Sequence, residues 1–370
     1  MYKRNLIPFV LLIAVYVLST NFFECNSNNN KVNVLVTIPL TGDAASYGQV
    51  QKNGIEIALA ELKDDPVLEK LNIIYSDSKL SPKEALNILQ QELVKNSISV
   101  TTPISTGEVL SMAPVCNEKK IVLLSPLASG DQITTAGDYV FRISPTDSYQ
   151  GKELANAITR SGYKKTAILY VNDSWGKGLS DMFEKSYKDQ NNEVTTIEIC
   201  NPNQTDLRLQ LSKIKESNPT ALLLIVHPGE AVPALKQIKE LGIKAQIFGG
   251  DTFSNKVIYS EALDVAQGVI FTLPATPNNE EYQKFSNEYK KRFNMDADIN
   301  AAAAYDVLLL IAKAIKNGAY NGETIKEYFF NMKTEFIGAT GLIKWDNNGD
   351  VVSKTYNSFI IKDNNYTIFK

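Results

Sequence analysis

The sequence predicts an α/β protein made of two doubly wound parallel-sheet lobes. Short β-branched apolar runs alternate with stretches whose apolar residues recur at helical spacing. The alternation starts twice, over residues 32–124 and again over 166–249. The chain has 370 residues, enough for about two domains at roughly 150 residues each.

The elements follow in order. VNVLVTI (32–38) is a short apolar run that suits a buried strand. Residues 48–63 place Ile55, Ala58, Leu59 and Leu62 on one helical face. LNIIYS (71–76) is a second strand. Ser81-Pro82-Lys83-Glu84 forms a capping-box pattern with proline at the first helical position, and opens a helix burying Ala85, Leu89 and Leu93. Residues 97–101 and 121–124 read as strands with a helix between them. The second series runs through TAILYV (166–171), a helix from Lys177, a strand at 195–200 and a helix at 206–216. It continues with ALLLIV (221–226), a helix from Glu230 and a strand at 246–249. Helices are expected at 282–293, 301–316 and 323–332, and a hairpin over 341–352 around Asn347-Asn348-Gly349. Strand–helix alternation of this kind builds parallel sheets by right-handed crossovers. Two such lobes turn the carboxyl ends of their strands towards one cleft, where ligands bind.

Composition limits the function. Hydrophobic residues make up 44% and charged residues 21%, enough for a sizeable core. The formal charge is 38 − 41 = −3, so no basic excess exists to hold a phosphate backbone, and nucleic acid is not expected as a partner. Three cysteines cannot form a disulfide framework or a four-thiolate zinc site, and one histidine excludes any site of two or more. No metal site or cofactor is expected. Cys116 and Cys200 read as small buried residues. A Ser/His/Asp hydrolase would have to use His227, and the chain has no G-x-S-x-G.

Residues 1–24 read as an export signal or anchor. Lys3 and Arg4 precede LIPFVLLIAVYVL, about the right length for a signal and short for a membrane span. Cys25 and the polar NSNNNK stretch follow as a tether over 25–30. The arrangement resembles a bacterial lipoprotein with Cys25 as the lipidated residue, although Phe22-Phe23-Glu24 departs from a lipobox. Cleavage near Ser19 is the alternative.

Several segments, in order, resemble the branched-chain amino-acid-binding (Leu/Ile/Val-binding) family, type I periplasmic solute-binding proteins of ABC transporters. They are VLVTIPLTGDAASYGQVQKNGIEIALAEL, PISTGEVLSMAPVCNEKKIVLLSPLASG, YVFRISPTDSYQGKELA, AILYVNDSWGKGLSDMFE, FGGDTF, QGVIFTLP and GATGLIKWDNNGDV. The resemblance covers about residues 32–352. It implies a type I periplasmic binding protein fold with three crossovers, near 144–149, 272–276 and 352–356. The N-terminal lobe would be 31–148 plus 275–353, and the C-terminal lobe 149–274 plus 354–370.

The resemblance also implies the site. Thr106, where a helix begins, would offer its N–H and hydroxyl to a ligand carboxylate, since helix N-termini suit anions. A plain helix cap is the other reading of Thr106. Leu127 would give a carbonyl to the ligand ammonium, and Ser129 a hydroxyl to the carboxylate; a plain turn is the alternative. Asp251, at a strand carboxyl end, would pair with the ammonium, or would simply cap a helix. Tyr47, Trp175 and His227 match the family's aromatic positions around the ligand, where Tyr is frequent at the last two. Phe271 is a further candidate lining residue.

The implied function is a non-enzymatic, monomeric receptor. It would capture a small zwitterion, an amino acid, and present it to an ABC permease outside the cytoplasmic membrane, touching that membrane only through its N-terminal anchor. A sensory lipoprotein of the same fold, binding another polar solute such as an amide, stays open. Asp346-Asn347-Asn348-Gly349-Asp350 has calcium-like residues but reads as a hairpin turn. Ser174-Trp175-Gly176-Lys177-Gly178 lacks the spacing of a P-loop.

Overall fold

The computed structural model describes residues 31–370 apart from 43 and 333–334. The signal, the tether and Cys25 lie outside the described residues.

The first sheet is wholly parallel, in the order β2-β1-β3-β4-β5. Its strands are β1 (Val32–Ile38), β2 (Leu71–Asp77), β3 (Ile98–Thr101), β4 (Val122–Ser125) and β5 (Val140–Arg142). β1 lies inside the sheet, and Val32, Val34, Leu35, Val36 and Ile38 are all buried. That is why it reads as a continuous apolar run rather than an alternating one. Helices α1 (Ala45–Glu61), α2 (Pro82–Lys95) and α3 (Thr106–Lys119) connect the strands. Ser81 caps α2 by accepting the Glu84 amide, with Pro82 in the first turn. The cap of α3 is Ser105, in a reciprocal box with Glu108. Thr106 is therefore the first helical residue and not the cap.

The second sheet runs β14-β13-β10-β9-β8-β6-β7. Its parallel strands are β6 (Lys165–Val171), β7 (Glu193–Cys200), β8 (Ala221–Ile225), β9 (Gln246–Gly249) and β10 (Ile270–Pro274). β13 (Tyr356–Lys362) and β14 (Asn365–Ile368) close one edge antiparallel. The inner strand β8 is buried along its whole length. Its helices are α4 (Asp147–Arg160), α5 (Ser174–Lys188), α6 (Arg208–Glu216), α7 (Pro228–Glu240) and α8 (Lys256–Ala266).

The chain passes between the sheets three times: after β5, after β10 and before β13. Between the last two passages lie α9 (Glu280–Phe293), α10 (Ile299–Lys316), α11 (Gly322–Phe330) and the hairpin β11 (Phe336–Gly338) with β12 (Gly341–Ile343). α9 and α10 pack on α1. At the α1–α10 crossing, a Cβ on Gly54 would stand 2.0 Å from the Ala301 carbonyl oxygen, so only glycine permits this approach.

Some elements depart from expectation. β5 has three residues, too few to show a period. α8 is interrupted at Ala262, whose backbone is non-helical. β13 and β14 meet at Asp363-Asn364, both at positive φ, a turn that suits a two-residue hairpin. Of the hairpin expected over 341–352, the turn at 347–349 is present, bounded by a single Trp345–Val351 bridge, while Gly341–Ile343 pairs with Phe336–Gly338 instead. The Asp346 carboxylate is used inside the turn, accepting the amides of Asn348 and Asp350. No metal-holding group of side chains occurs among the described residues.

One buried cation pins the first passage. Arg142 is fully buried; its Nε donates to Asp350 at 2.7 Å, Nη1 to the Gly130 carbonyl and Nη2 to Thr134. The Trp345 indole donates to the Arg142 carbonyl.

Candidate ligand-binding site

The strand ends of both sheets contribute to one cavity of about 340 Å³, within the usual range for small-ligand sites. From the first sheet come the loop and first turn at Ile104, Ser105, Thr106 and Gly107 after β3, and Leu127, Ala128 and Ser129 after β4. From the second come Asn172, Asp173, Ser174 and Trp175 after β6, His227 after β8, and Asp251 and Thr252 after β9. Tyr47 of α1 and Asn300 of α10, with Leu80, Pro82 and Pro202, complete the wall. Thus Tyr47, Thr106, Leu127, Ser129, Trp175, His227 and Asp251, scattered over some two hundred positions, line one space.

Phe271 does not. It is fully buried in β10, stacked on Phe359 and meeting Tyr366 edge-on. The expectation that it lines the cleft is corrected: its alternation along the strand turns the ring into the aromatic cluster under the β13–β14 hairpin.

The first-sheet side presents hydrogen-bond donors to the cavity. α3 presents its N-terminal turn, with unpaired amides and a favourable dipole. Thr106 Oγ1 accepts the Gly130 amide at 3.1 Å, which joins the two loops and leaves the hydroxyl hydrogen free to donate. Ser129 is 2% exposed, and its carbonyl accepts the Asp147 amide that opens α4.

The second-sheet side is acidic. Asp251 accepts from Gln150 Nε2 at 3.2 Å, and Gln150 is also 3.2 Å from Thr272. Burial raises the Asp251 pKa; the Gln150 bond and nearby His227 offset this in part. Asp173 caps α5 by accepting the Gly176 amide at 2.7 Å, while its other oxygen lies 2.8 Å from His227 Nε2. Trp175 stacks on the same imidazole, with centroids 5.1 Å apart. Burial pulls the His227 pKa down, but the Asp173 bond and charge, with Glu230 and Asp251, outweigh it and the net shift is upward. The Tyr47 phenol is held well above its ordinary value by burial and then by Asp251. Its hydroxyl is buried without a partner. Among the described residues, no lysine or arginine lines this cavity.

Three residues escaped the sequence reading. Gln150 orients Asp251, Asp173 anchors His227, and Asp147 sits fully buried behind Ser129. Asp173 had a visible signal, an N-cap residue directly before a helix. Gln150 and Asp147 had none, because their partners are remote in sequence.

A sequence profile described as periplasmic binding protein matches residues 31–364. The chain belongs to the periplasmic binding protein family. It is thus a solute-binding protein of an extracytoplasmic family. This periplasmic binding protein is 26% identical to the Leu/Ile/Val-binding protein BraC3 of Rhizobium johnstonii over 330 residues, 87% of this chain and 89% of that one. It superposes on the branched-chain amino acid transporter substrate-binding protein LivJ of Streptococcus pneumoniae, in complex with isoleucine, with a TM-score of 0.82. The identity is 25%, and 91% of this chain and 97% of that one are covered. An ABC-transporter solute-binding protein from R. palustris, in complex with benzoate, shares the fold at a TM-score of 0.83 and 18% identity, over 91% of this chain and 95% of that one. No helix among the described residues is long and apolar enough to cross a membrane.

Proposed function

We propose that this protein captures a small zwitterion, an amino acid, between its two lobes and delivers it to an ABC importer. The carrying observation is the polarity of the cavity. The α3 N-terminus with Thr106 and Ser129 faces it from one sheet, and half-buried Asp251 faces it from the other, with no lysine or arginine among the described lining residues. A carboxylate suits the first side and an ammonium the second, so one ligand bridges both lobes and favours their closure. Leu127 offers the ammonium a carbonyl, and the rings of Tyr47, Trp175 and His227 exclude water around it. The names of BraC3 and LivJ agree with this reading. The benzoate complex shows that the fold by itself does not choose the ligand.

In this reading the lobes are 31–148 plus 275–353 and 149–274 plus 354–370, the receptor is a monomer, and Cys25 carries a lipid anchor. Labelled palmitate incorporated into the wild type and lost in Cys25→Ser would support the anchor. The ligand itself is tested by denaturing the purified protein and identifying the released solutes by mass spectrometry. An α-amino acid in stoichiometric amount supports the reading; an aromatic acid without an ammonium overturns it.

A further inference from the structure

The cavity continues past the Trp175–His227 stack. A second chamber of about 510 Å³ shares Leu80, Pro82, Asp173, Pro202 and His227 with the first, and adds Asn203 and Glu230. Lys79, exposed, is the one lysine or arginine among the described residues of its lining.

Glu230 is 2% exposed. One of its oxygens accepts the Asn203 amide; the other, Oε2, is buried with no partner. His227 Nδ1 is buried without a partner too. The two residues belong to one helical turn, with His227 capping α7 and Glu230 at its third position. Buried polar atoms are rarely left unpaired, because desolvation is then uncompensated. His227 Nε2 is committed to the Asp173 carboxylate, so that nitrogen carries the hydrogen. Nδ1 accepts in the neutral ring but donates in the imidazolium that the raised pKa favours, so it sets no single demand, whereas the Glu230 carboxylate oxygen accepts. Glu230 Oε2 therefore asks for a donor. A plain branched hydrocarbon is accommodated by Leu80, Ile104, Leu127 and Trp175 in the first chamber, and would leave the second chamber and the Glu230 oxygen unused.

We infer that the ligand's side chain ends in a nitrogen that donates hydrogen bonds, and that it reaches the second chamber to meet Glu230. This deepens the zwitterion reading and rests on it. Amide and cationic heads share the chemistry.

The test is titration calorimetry on the protein freed of bound solute, with lysine, glutamine, norleucine and leucine as probes. Lysine and norleucine share a four-carbon chain and differ in the terminal ammonium. Lysine or glutamine is expected to bind about 10- to 150-fold more tightly than norleucine and leucine, the range for a hydrogen bond to a charged group. Glu230→Ala, checked for folding by circular dichroism, should bring the affinities together. Glu230→Gln separates the sources: it should weaken lysine more than glutamine if the head is cationic, and both alike if it is an amide. Leucine or norleucine binding as tightly as the best of the others, or an unchanged ratio in Glu230→Ala, overturns the inference alone. Failure of all four probes to bind overturns the zwitterion reading with it.

Discussion

His227 Nε2 stands 2.8 Å from Asp173 Oδ2, and the indole of Trp175 lies stacked on the same imidazole. The ends of two neighbouring strands, β6 and β8, are thereby tied together on the cavity wall. The chain has one histidine, so its ring signals are unambiguous. NMR titration should place the His227 pKa above the ordinary 6.5, and Asp173→Asn should lower it while keeping the α5 cap. The sign for stability follows from a raised folded pKa. The advantage of wild type over Asp173→Asn is full below pH 6.5 and fades as pH rises through the folded value. A difference that grows with pH would count against the pair.

Asp251 is expected to hold the ligand ammonium. Asp251→Ala removes a partner that the closed cleft would bury, for which about 2–5 kcal/mol is typical, or roughly 30- to several-thousand-fold in affinity. Asp251→Asn should lose most of the binding, and Thr106→Ala less, since its amide remains. Calorimetry showing Asp251→Ala within threefold of wild type would refute the assignment.

Asp147 is fully buried, and its pKa is pushed up to about 8, by burial first and by Asp251 among its neighbours, against the Ser129 hydroxyl. Its folded pKa lies above its unfolded one, so it lowers stability as pH rises from about 4 to 8. Asp147→Asn should therefore raise the urea midpoint at pH 7, by up to a few kcal/mol in free energy, and give no gain at pH 4. Equal effects at both pH values would show that the carboxyl is not protonated in the fold.

Asp350 is the anionic partner of buried Arg142. Asp350→Ala leaves that charge unpaired and should cost about 3–5 kcal/mol in denaturant unfolding. A loss below 1 kcal/mol would mean that Gly130 and Thr134 suffice to hold the guanidinium.

The parallel strands were legible because burial on both faces leaves unbroken apolar runs such as Ala221–Ile225. The Ser81-Pro82 start was legible because a cap is a local event. β5 and the β13–β14 edge were not: three residues carry no period, and strand edges are fixed by partners far away in the chain. The site divides along the same line. Thr106, in the first turn of α3, and Asp251, directly after β9, sit at strand-to-helix turns whose sequence has a pattern, and both line the cavity. Phe271 looked equivalent by position, yet strand alternation faces it into the core. Gln150 and Glu230 gain their roles only from Asp251 and His227, each brought near by tertiary folding or a helical turn.

Arg142 reaches Gly130, beside Ser129, and Asp350, shortly before the chain returns to the second sheet. A laboratory evolution campaign confined to cavity residues would miss this lever. Random libraries selected for a new solute should return substitutions at Thr134, Trp345 or Asp350, which touch no ligand but reset the loop that does. Such variants would trade thermal tolerance for breadth of uptake.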